Sequence, residues 1–254
     1  FRFDQPFLFQ SMPVFAPVNK ADRAEKLRLY ADNSFRAGFR DAMRGPILSA
    51  WDKAVIAYCP DRPEFGERLV CDVAAELGCN SIDLALDLSI QSDLQTRFRL
   101  PVANADEDEV ATLLRDSCTV LGLSDAGAHA SQLCDACFST HLLGRWVREK
   151  RVLTLEEAVR MLTSRPAEVF GIKDRGRLAV GMPADVLIFD AETVGASSLR
   201  RVYDLPAGED RLISDASGIS AVVVNGTLIR RNGVDVLGAE GRLPGRLLRH
   251  GAAA

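Results

Sequence analysis

The chain has 254 residues, of which 47% are hydrophobic and 26% are charged, and its formal net charge is −4. This balance is typical of a soluble globular protein with one large domain or two ordinary ones. A slightly acidic chain without a basic run gives no reason to expect a nucleic-acid partner, and no apolar stretch approaches the roughly 20 residues that span a bilayer.

The cysteines and the start of the chain indicate the cellular compartment. The six cysteines follow no framework spacing, and the first residues, FRFDQPFLFQSMP, lack the basic segment and apolar core of a signal peptide. Scattered cysteines of this kind are typical of reduced thiols, so we predict a cytoplasmic protein. The apolar start is typical of the middle of a folded element, so we expect a further region upstream of Phe1.

The first elements combine strands and helices. Residues 1–20 alternate aromatic and apolar groups with prolines, which predicts a strand followed by an irregular loop. Residues 20–44 have apolar side chains at helical spacing, with Asp22 as a suitable cap. The short apolar run VIAYC, residues 55–59, predicts a strand.

The next stretch predicts three helices and a strand. Two helices are expected within residues 62–93, the first ended by Gly78 and the second capped by Ser81. Residues 106–117 predict a third helix, because acidic residues fill its first turn. The continuous apolar run CTVLGLS, residues 118–124, then predicts a buried strand.

Two further helices are predicted in the following stretch, at residues 141–150 and 153–171. The second begins with Thr154 and has Glu157 three residues later, which is the spacing of a capping box.

The pattern changes to strands at Gly176. Residues 176–192 and 219–233 are rich in β-forming residues, and Asn225-Gly226 between apolar runs predicts a two-residue hairpin turn. Residues 195–218 contain many polar residues, which predicts a polar connecting segment between strands.

The chain therefore divides into an α/β part, residues 1–172, and a small β part, residues 173–254. Alternation of strands and helices argues for a parallel α/β sheet or barrel. A closed eight-stranded barrel needs about 250 residues, so the first part cannot close one by itself. Either the fold is smaller, or the front of a barrel lies outside this sequence.

The stretch VLGLSDAGAHASQ, residues 120–132, is the most informative motif. Its apolar run ends in Asp125 and continues with small residues and Gly127. In a parallel α/β fold, residues just past the C-terminal end of a strand face the active site. A carboxylate there can bind a metal and take a proton from metal-bound water. Equally, Ser124 and Asp125 can cap the following helix or form an Asx-turn.

SDAGAH after an apolar run resembles the final barrel strand of the amidohydrolase superfamily, and most of all the branch that contains the D-aminoacylases (N-acyl-D-amino-acid deacylases). The similarity runs on in order through residues 146–149, 155–159, 163–167, 174–178, 181–186, 189–190, 224–226 and 244–249. Residues 1–117 resemble the region around the seventh barrel strand and its insertion.

The resemblance implies an α/β fold: the C-terminal part of a metal-dependent (β/α)8 barrel, or TIM barrel, with part of a small β-sandwich. It implies a hydrolase of non-peptide C–N bonds in small N-acyl or amide substrates, with one or two divalent metal ions, most simply zinc. Asp125 would be a metal ligand and the general base. Gly127 and His129 would contact the substrate, although His129 can also be a turn histidine bonded to the backbone.

The histidines depart from the family pattern. The family has an HxH pair near its first strand and two later histidines, whereas this chain contains only His129, His141 and His250. These three cannot supply the usual metal shell. We therefore expect most metal ligands to lie outside this chain, and the chain to be inactive by itself.

The chain also lacks an arginine at the position where the family has a substrate-binding arginine. D-aminoacylases have an arginine about ten residues after the aspartate, suited to a substrate carboxylate, whereas this chain has Cys134-Asp135-Ala136-Cys137 there. Arg145 and Arg148 follow, and we predict that both point into solvent. The sequence therefore predicts C–N hydrolysis and leaves the substrate open.

Other functions fit parts of the pattern. A cyclic amidase like a hydantoinase, or a deaminase, would use the same aspartate. A non-catalytic module could instead bind a partner through a face left open by missing strands. Cys134 and Cys137 form a CxxC that can be a structural thiol pair, a metal site with His141 as a third ligand, or a redox site. The oligomeric state stays open.

Overall fold

The computed structural model describes residues 1–43, 50–101, 103–122, 124, 126, 131, 134, 136–237 and 241–248. In these ranges the α-helices are α1 (Arg23–Ala31), α2 (Asn33–Ala42), α3 (Val70–Leu77), α4 (Ser81–Gln91), α5 (Glu107–Arg115), α6 (Phe138–His141), α7 (Leu155–Leu162) and α8 (Ser164–Val169). The strands are β1 (Val55–Tyr58), β2 (Arg68–Leu69), β3 (Arg97–Arg99), β4 (Val186–Phe189), β5 (Gly195–Ala196), β6 (Arg200–Val202), β7 (Arg211–Ile213), β8 (Ala216–Ser217), β9 (Ile219–Val224), β10 (Thr227–Arg231) and β11 (Val234–Asp235).

Two compact units make up the chain, Phe1–Glu107 and Asp108–Ala254. The change from helices to strands that the sequence predicts near residue 172 is present, because all described elements after α8 other than one short 3-10 turn are strands. The division between compact units lies elsewhere, so the boundary at residue 172 stays a prediction.

In the first unit, α1 and α2 replace the single helix predicted for residues 20–44. Asp22 caps α1 as expected, its carboxylate accepting the Glu25 backbone N–H at 2.8 Å. Asp32 then ends α1 in an extended conformation and caps α2, accepting the Phe35 N–H at 3.0 Å. The hydrogen bond from the Ser34 hydroxyl, followed by the Phe35 N–H, holds the pKa of Asp32 below its usual value. A competing cap inside an apolar pattern therefore splits the helix.

Aromatic rings form the core of the first unit. Phe3, Phe9 and Phe39 are fully buried, and the ring centroids of Phe9 and Phe39 are 5.1 Å apart in an edge-to-face arrangement. Tyr30 packs edge-on against Phe3, and its hydroxyl donates to the Phe3 carbonyl at 2.7 Å. Each such ring pair adds about 0.5–1.5 kcal/mol beyond area burial. The predicted first strand is wrong: short 3-10 turns at Phe7–Phe9, Pro13–Phe15 and Val18–Lys20 occupy this stretch and bury Phe9, Phe15 and Val18.

A small antiparallel sheet of order β2-β1-β3 lies in the same unit, and it confirms the strand predicted at residues 55–59. Gly78 ends α3 with φ 68°, a left-handed conformation that glycine adopts without strain, as predicted. The cap of α4 is Asn80 and not Ser81: its side chain accepts the Ile82 N–H at 2.9 Å.

In the second unit, the capping box of α7 is confirmed. Thr154 Oγ1 accepts the Glu157 N–H at 3.2 Å, and the Glu157 carboxylate accepts the Thr154 N–H at 2.7 Å. The single helix predicted for residues 153–171 is divided at Thr163, whose φ of −130° is not helical. Pro166 has no N–H to donate back to the preceding turn, which explains the break.

The main sheet of the second unit has the order β11-β10-β9-β4 with antiparallel neighbours. Asn225 and Gly226 join β9 to β10 with φ values of 46° and 78°, so the predicted hairpin is confirmed. The predicted polar excursion at residues 195–218 contains two short antiparallel pairs, β5 with β8 and β6 with β7.

A polar network supports this sheet. The Arg175 guanidinium, whose side chain is 9% exposed, lies 2.6 Å from Asp185 and 2.7 Å from Asp174, and it donates to Asn225 Oδ1 at 2.9 Å. Asn225 in turn donates to the Pro244 carbonyl at 2.6 Å. One arginine thus ties the residues before β4 to the β9–β10 turn.

The described residues mix helices and strands, as the α/β prediction requires. All strand pairs within the described ranges are antiparallel. In those ranges, we find no helix with the length and apolar character that crossing a membrane requires.

Candidate active site

The predicted site residues Asp125, Gly127 and His129 lie outside the described residues, as does His250. Their neighbours Ser124 and Ala126 are described. The Ala126 N–H donates to Ser124 Oγ at 3.3 Å, which is a local turn of the kind that serine side chains stabilise. This contact fits the turn interpretation of Ser124.

The approach to the motif is not the strand that the sequence predicts. Residues 118–122 and 124 have no strand conformation. The Asp116 carboxylate accepts the Cys118 N–H at 2.7 Å, and the Thr119 hydroxyl donates to the Leu113 carbonyl at 2.6 Å. These bonds fold the chain back onto the end of α5. The strand prediction is wrong for these residues, because local side-chain hydrogen bonds compete with strand pairing.

Near the end of the motif, Arg201 and its ion pair hold the chain at Ser131. Arg201 of β6 donates to the Ser131 carbonyl at 3.0 Å and pairs with Asp210. The Arg201 and Asp210 side chains are only 20% and 12% exposed, so solvent screens this pair weakly. Sequence reasoning missed these residues. Basic and acidic residues at the two ends of the segment RRVYDLPAGED were the available signal.

The helix that follows differs in form from the prediction. His141 ends α6 and is exposed, and a π-helix, Leu142–Glu149, continues directly from it. Leu143 and Trp146 are buried in the core of this unit. The helix predicted at residues 141–150 is therefore present with wider turns, whose carbonyls accept from the fifth residue along.

The two arginines of this helix behave differently. Arg145 pairs with Glu149 at 2.9 Å on the helix surface. Arg148 instead donates to the carbonyl of Val194 beside β5, so the prediction that it points into solvent is wrong. Gly144 permits this approach, because a Cβ there would lie 3.1 Å from the Val194 oxygen.

The metal-binding side chains of the described residues are dispersed. No group of three or more histidine, cysteine or acidic side chains that could hold a metal occurs in the part of the chain that the structure describes. The described residues therefore do not by themselves fit the metal ion that the resemblance implies.

Comparison with known proteins supplies the decisive observation. A model of the amidohydrolase family matches residues 54–230, which is more than half of the chain and includes the SDAGAH motif. The chain belongs to the amidohydrolase family. The resemblance drawn from the sequence is thereby confirmed.

Among individual relatives, this chain is 35% identical over 205 residues to N-acyl-D-glutamate deacylase of Alcaligenes xylosoxydans xylosoxydans, covering 80% of this chain and 37% of the relative. It is 29% identical to D-aminoacylase of the same organism, covering 68% and 33%. The crystal structure of N-acyl-D-glutamate deacylase from Bordetella bronchiseptica, complexed with zinc and a phosphonate inhibitor, is 30% identical with a TM-score of 0.44, covering 78% and 38%. The chain spans between 33% and 38% of the length of these relatives.

Proposed function

We propose that this amidohydrolase acts, as part of a complete protein, in the hydrolysis of the amide bond of small N-acyl amino acids. The family match over residues 54–230 carries the proposal. The relatives support the substrate class, since both curated relatives are named as enzymes that remove an acyl group from a D-amino acid.

Asp125 is the residue that we propose as the general base. Its carboxylate takes a proton from the attacking water and delivers it to the leaving nitrogen, which must be protonated before the C–N bond breaks. Gly127 and His129 are proposed to contact the substrate. Glycine leaves room for the substrate beside the backbone, and histidine offers a ring N–H to the acyl or carboxylate oxygen.

For the cofactor, we propose one or two zinc ions with Asp125 as one ligand. The zinc-bound deacylase from Bordetella bronchiseptica suggests the metal. The chain has three histidines in total, so the remaining ligands are proposed to come from residues outside this chain. For the same reason we propose that the 254-residue chain alone is inactive.

The finer architecture is also a proposal. Residues 1–172 would be the C-terminal portion of a (β/α)8 barrel, and residues 173–254 would contribute strands to a β-sandwich. The described strands after α8 support the second part, because four of them form one antiparallel sheet. We further propose a cytoplasmic location, in keeping with six free cysteines.

The experiment uses the natural protein and its variants, all expressed from the natural gene and supplied with zinc. Release of the free amino acid is measured with N-acetyl and longer N-acyl derivatives of D- and L-amino acids, alongside a hydantoin and a dihydropyrimidine. Asp125→Asn should lower kcat by about 10²–10⁴. Asp61→Asn, at an exposed acidic residue of the first unit, serves as the matched control.

Three results would contradict the proposal. Near-normal turnover by Asp125→Asn would remove its general base. Turnover of the cyclic amides alone would favour a cyclic amidase. Absence of hydrolysis by the zinc-loaded natural protein would favour a non-catalytic binding module.

A further inference from the structure

Two neighbouring arginines of β6 have different surroundings. Arg200 pairs with Asp215 at 3.1 Å, and the two side chains are 54% and 63% exposed. Arg201 lies on the opposite face of the strand, because successive side chains alternate. It pairs with Asp210, and these two side chains are largely shielded from solvent. The strand therefore carries one arginine that faces water and one that faces the protein.

Arg201 makes its second contact outside the β6–β7 pair. The same nitrogen, Nη1, donates to the Asp210 carboxylate and to the Ser131 carbonyl, the latter at 3.0 Å. Because the carboxylate fixes the guanidinium, the second N–H is directed at a defined point. A hydrogen bond from a charged donor is about twice as strong as a neutral one. The backbone at Ser131 is therefore held by a residue 70 positions later in the chain.

The β6–β7 pair does not need this contact for its own stability. Its strands are joined by backbone pairing, and Arg211 binds Asp204 at 2.7 Å within the same segment. Arg200 adds the exposed pair with Asp215. The bond from Arg201 to Ser131 instead links this pair of strands to the motif VLGLSDAGAHASQ.

Ser131 lies near the end of that motif, two residues after His129 and six after Asp125. At the other side of Asp125, Ser124 Oγ accepts the Ala126 N–H at 3.3 Å. Described hydrogen bonds thus flank the proposed site residues along the chain. The bond at Ser124 is local, whereas the bond at Ser131 depends on a distant strand.

We propose that Arg201 is a positioning residue, which holds the chain at Ser131 and thereby orients the segment that carries Asp125 and His129. The consequence for catalysis rests on the proposed hydrolysis. Arg201 acts through the backbone and does not contact the substrate. Reacting groups must be held to a fraction of an ångström, and a displacement of about 1 Å can lower the rate by about 10²-fold.

The variants are chosen so that no charge is left unpaired in a shielded position. Arg201→Met combined with Asp210→Asn removes the donor together with its counter-charge. The matched control is Arg200→Met combined with Asp215→Asn, which makes the same two changes in the exposed pair. Arg201→Lys is the conservative variant, because one ammonium nitrogen can donate to both acceptors as Nη1 does.

The first readout does not depend on hydrolysis and uses the 254-residue chain. Cys134 is half-buried and lies three residues after Ser131, and exposed Cys118 serves as the internal reference. Both thiols are alkylated with iodoacetamide, and the rates are read by peptide mass mapping. In the Arg201→Met, Asp210→Asn variant the rate at Cys134 relative to Cys118 should rise about tenfold, as expected for local opening after loss of a charge-assisted hydrogen bond. The control should stay unchanged.

The second readout is the hydrolysis of N-acyl amino acids by the complete natural protein supplied with zinc. Per folded molecule, kcat of the Arg201→Met, Asp210→Asn variant should fall about 10- to 100-fold. KM should change by less than about twofold, because the lost interaction is not made with the substrate. Arg201→Lys should restore most of kcat, and the control pair should match the unmodified protein.

Two outcomes would overturn the proposal. An unchanged alkylation rate at Cys134 in the Arg201→Met, Asp210→Asn variant would show that Arg201 does not hold the segment. Normal kcat alongside faster alkylation would show that the contact is structural only. If the unmodified natural protein hydrolyses no amide, the proposed function fails, and the alkylation rates still decide whether Arg201 holds the chain at Ser131.

Discussion

Gly218 packs directly against the backbone of Val194: a Cβ built on Gly218 would lie 2.4 Å from the Val194 nitrogen. Real side chains never approach a backbone nitrogen so closely. The Asp190 N–H donates to the Gly218 carbonyl at 2.8 Å, and the Val194 N–H donates to the Asp190 carbonyl at 2.8 Å. The absence of one side chain therefore lets the start of β9 lie against the turn after β4.

Gly218→Ala should strongly destabilise the second unit. Gly218 has φ +71°, which costs alanine about 1–2 kcal/mol, and the backbone clash adds to that cost. The matched control is Gly226→Ala, because Gly226 has φ +78° with nothing within 4 Å of the added Cβ. Urea unfolding of both variants separates strain from clash. Equal decreases in the free energy of unfolding would show that the clash with Val194 adds no cost beyond the backbone strain.

Arg175→Ala should destabilise the second unit by about 2–3 kcal/mol, since it leaves two partly buried carboxylates without their cation. The control is Arg230→Ala, because Arg230 pairs with Asp235 at 2.9 Å while both side chains are at least half exposed. That change should cost less than about 1 kcal/mol. Similar values for the two variants in urea unfolding would contradict a structural role for the Arg175 network.

Tyr30 should make the first unit less stable in alkali. Burial, and then the charge of Asp4, raise the pKa of Tyr30 in the folded chain above its usual value. The protonated phenol therefore stabilises the fold fully below the unfolded pKa of about 10, and that stability is lost as the pH rises towards the folded pKa. Tyr30→Phe should flatten the fall in the free energy of unfolding above pH 10. An unchanged alkaline slope would count against this burial effect.

Thr154→Ala should lower the free energy of unfolding by about 1 kcal/mol, because it removes the cap of α7. The Glu157 carboxylate loses its hydroxyl partner at 3.0 Å but keeps the backbone N–H at 2.7 Å. Thr154→Ser keeps the hydroxyl and is the matched control. Thermal unfolding of both variants tests the cap, and an equal loss in Thr154→Ser would point to the lost methyl group instead.

The sequence predicted those elements whose signals are local. Asp22, Gly78 and the Asn225-Gly226 turn each act through bonds or backbone angles within a few residues, and each was found where expected. The amidohydrolase family could also be recognised from the sequence, because short motifs stay in a fixed order even when the residues between them change. Neither kind of signal needs knowledge of what packs against the element.

The sequence predictions that the structure contradicts concern residues whose conformation depends on distant partners or on competing hydrogen bonds. The run at residues 118–122 is apolar enough for a strand, yet bonds to Asp116 and from Thr119 turn it back. Arg148 looks solvent-facing by helical periodicity, and only the position of Val194 shows its partner. For the candidate site, Asp125, Gly127 and His129 stay predictions.

The π-helix Leu142–Glu149 contains more residues than an α-helix of the same length would. Each turn of a π-helix holds more residues than an α-helical turn, so eight residues span less length than the sequence alone suggests. Deleting one residue there would let the segment return to α-helical bonding while the residues before and after it keep nearly the same orientation, because a wider turn absorbs one extra residue. A one-residue deletion in this segment should therefore be tolerated, whereas the same deletion in the regular helix α7 would turn the residues after it by about 100°.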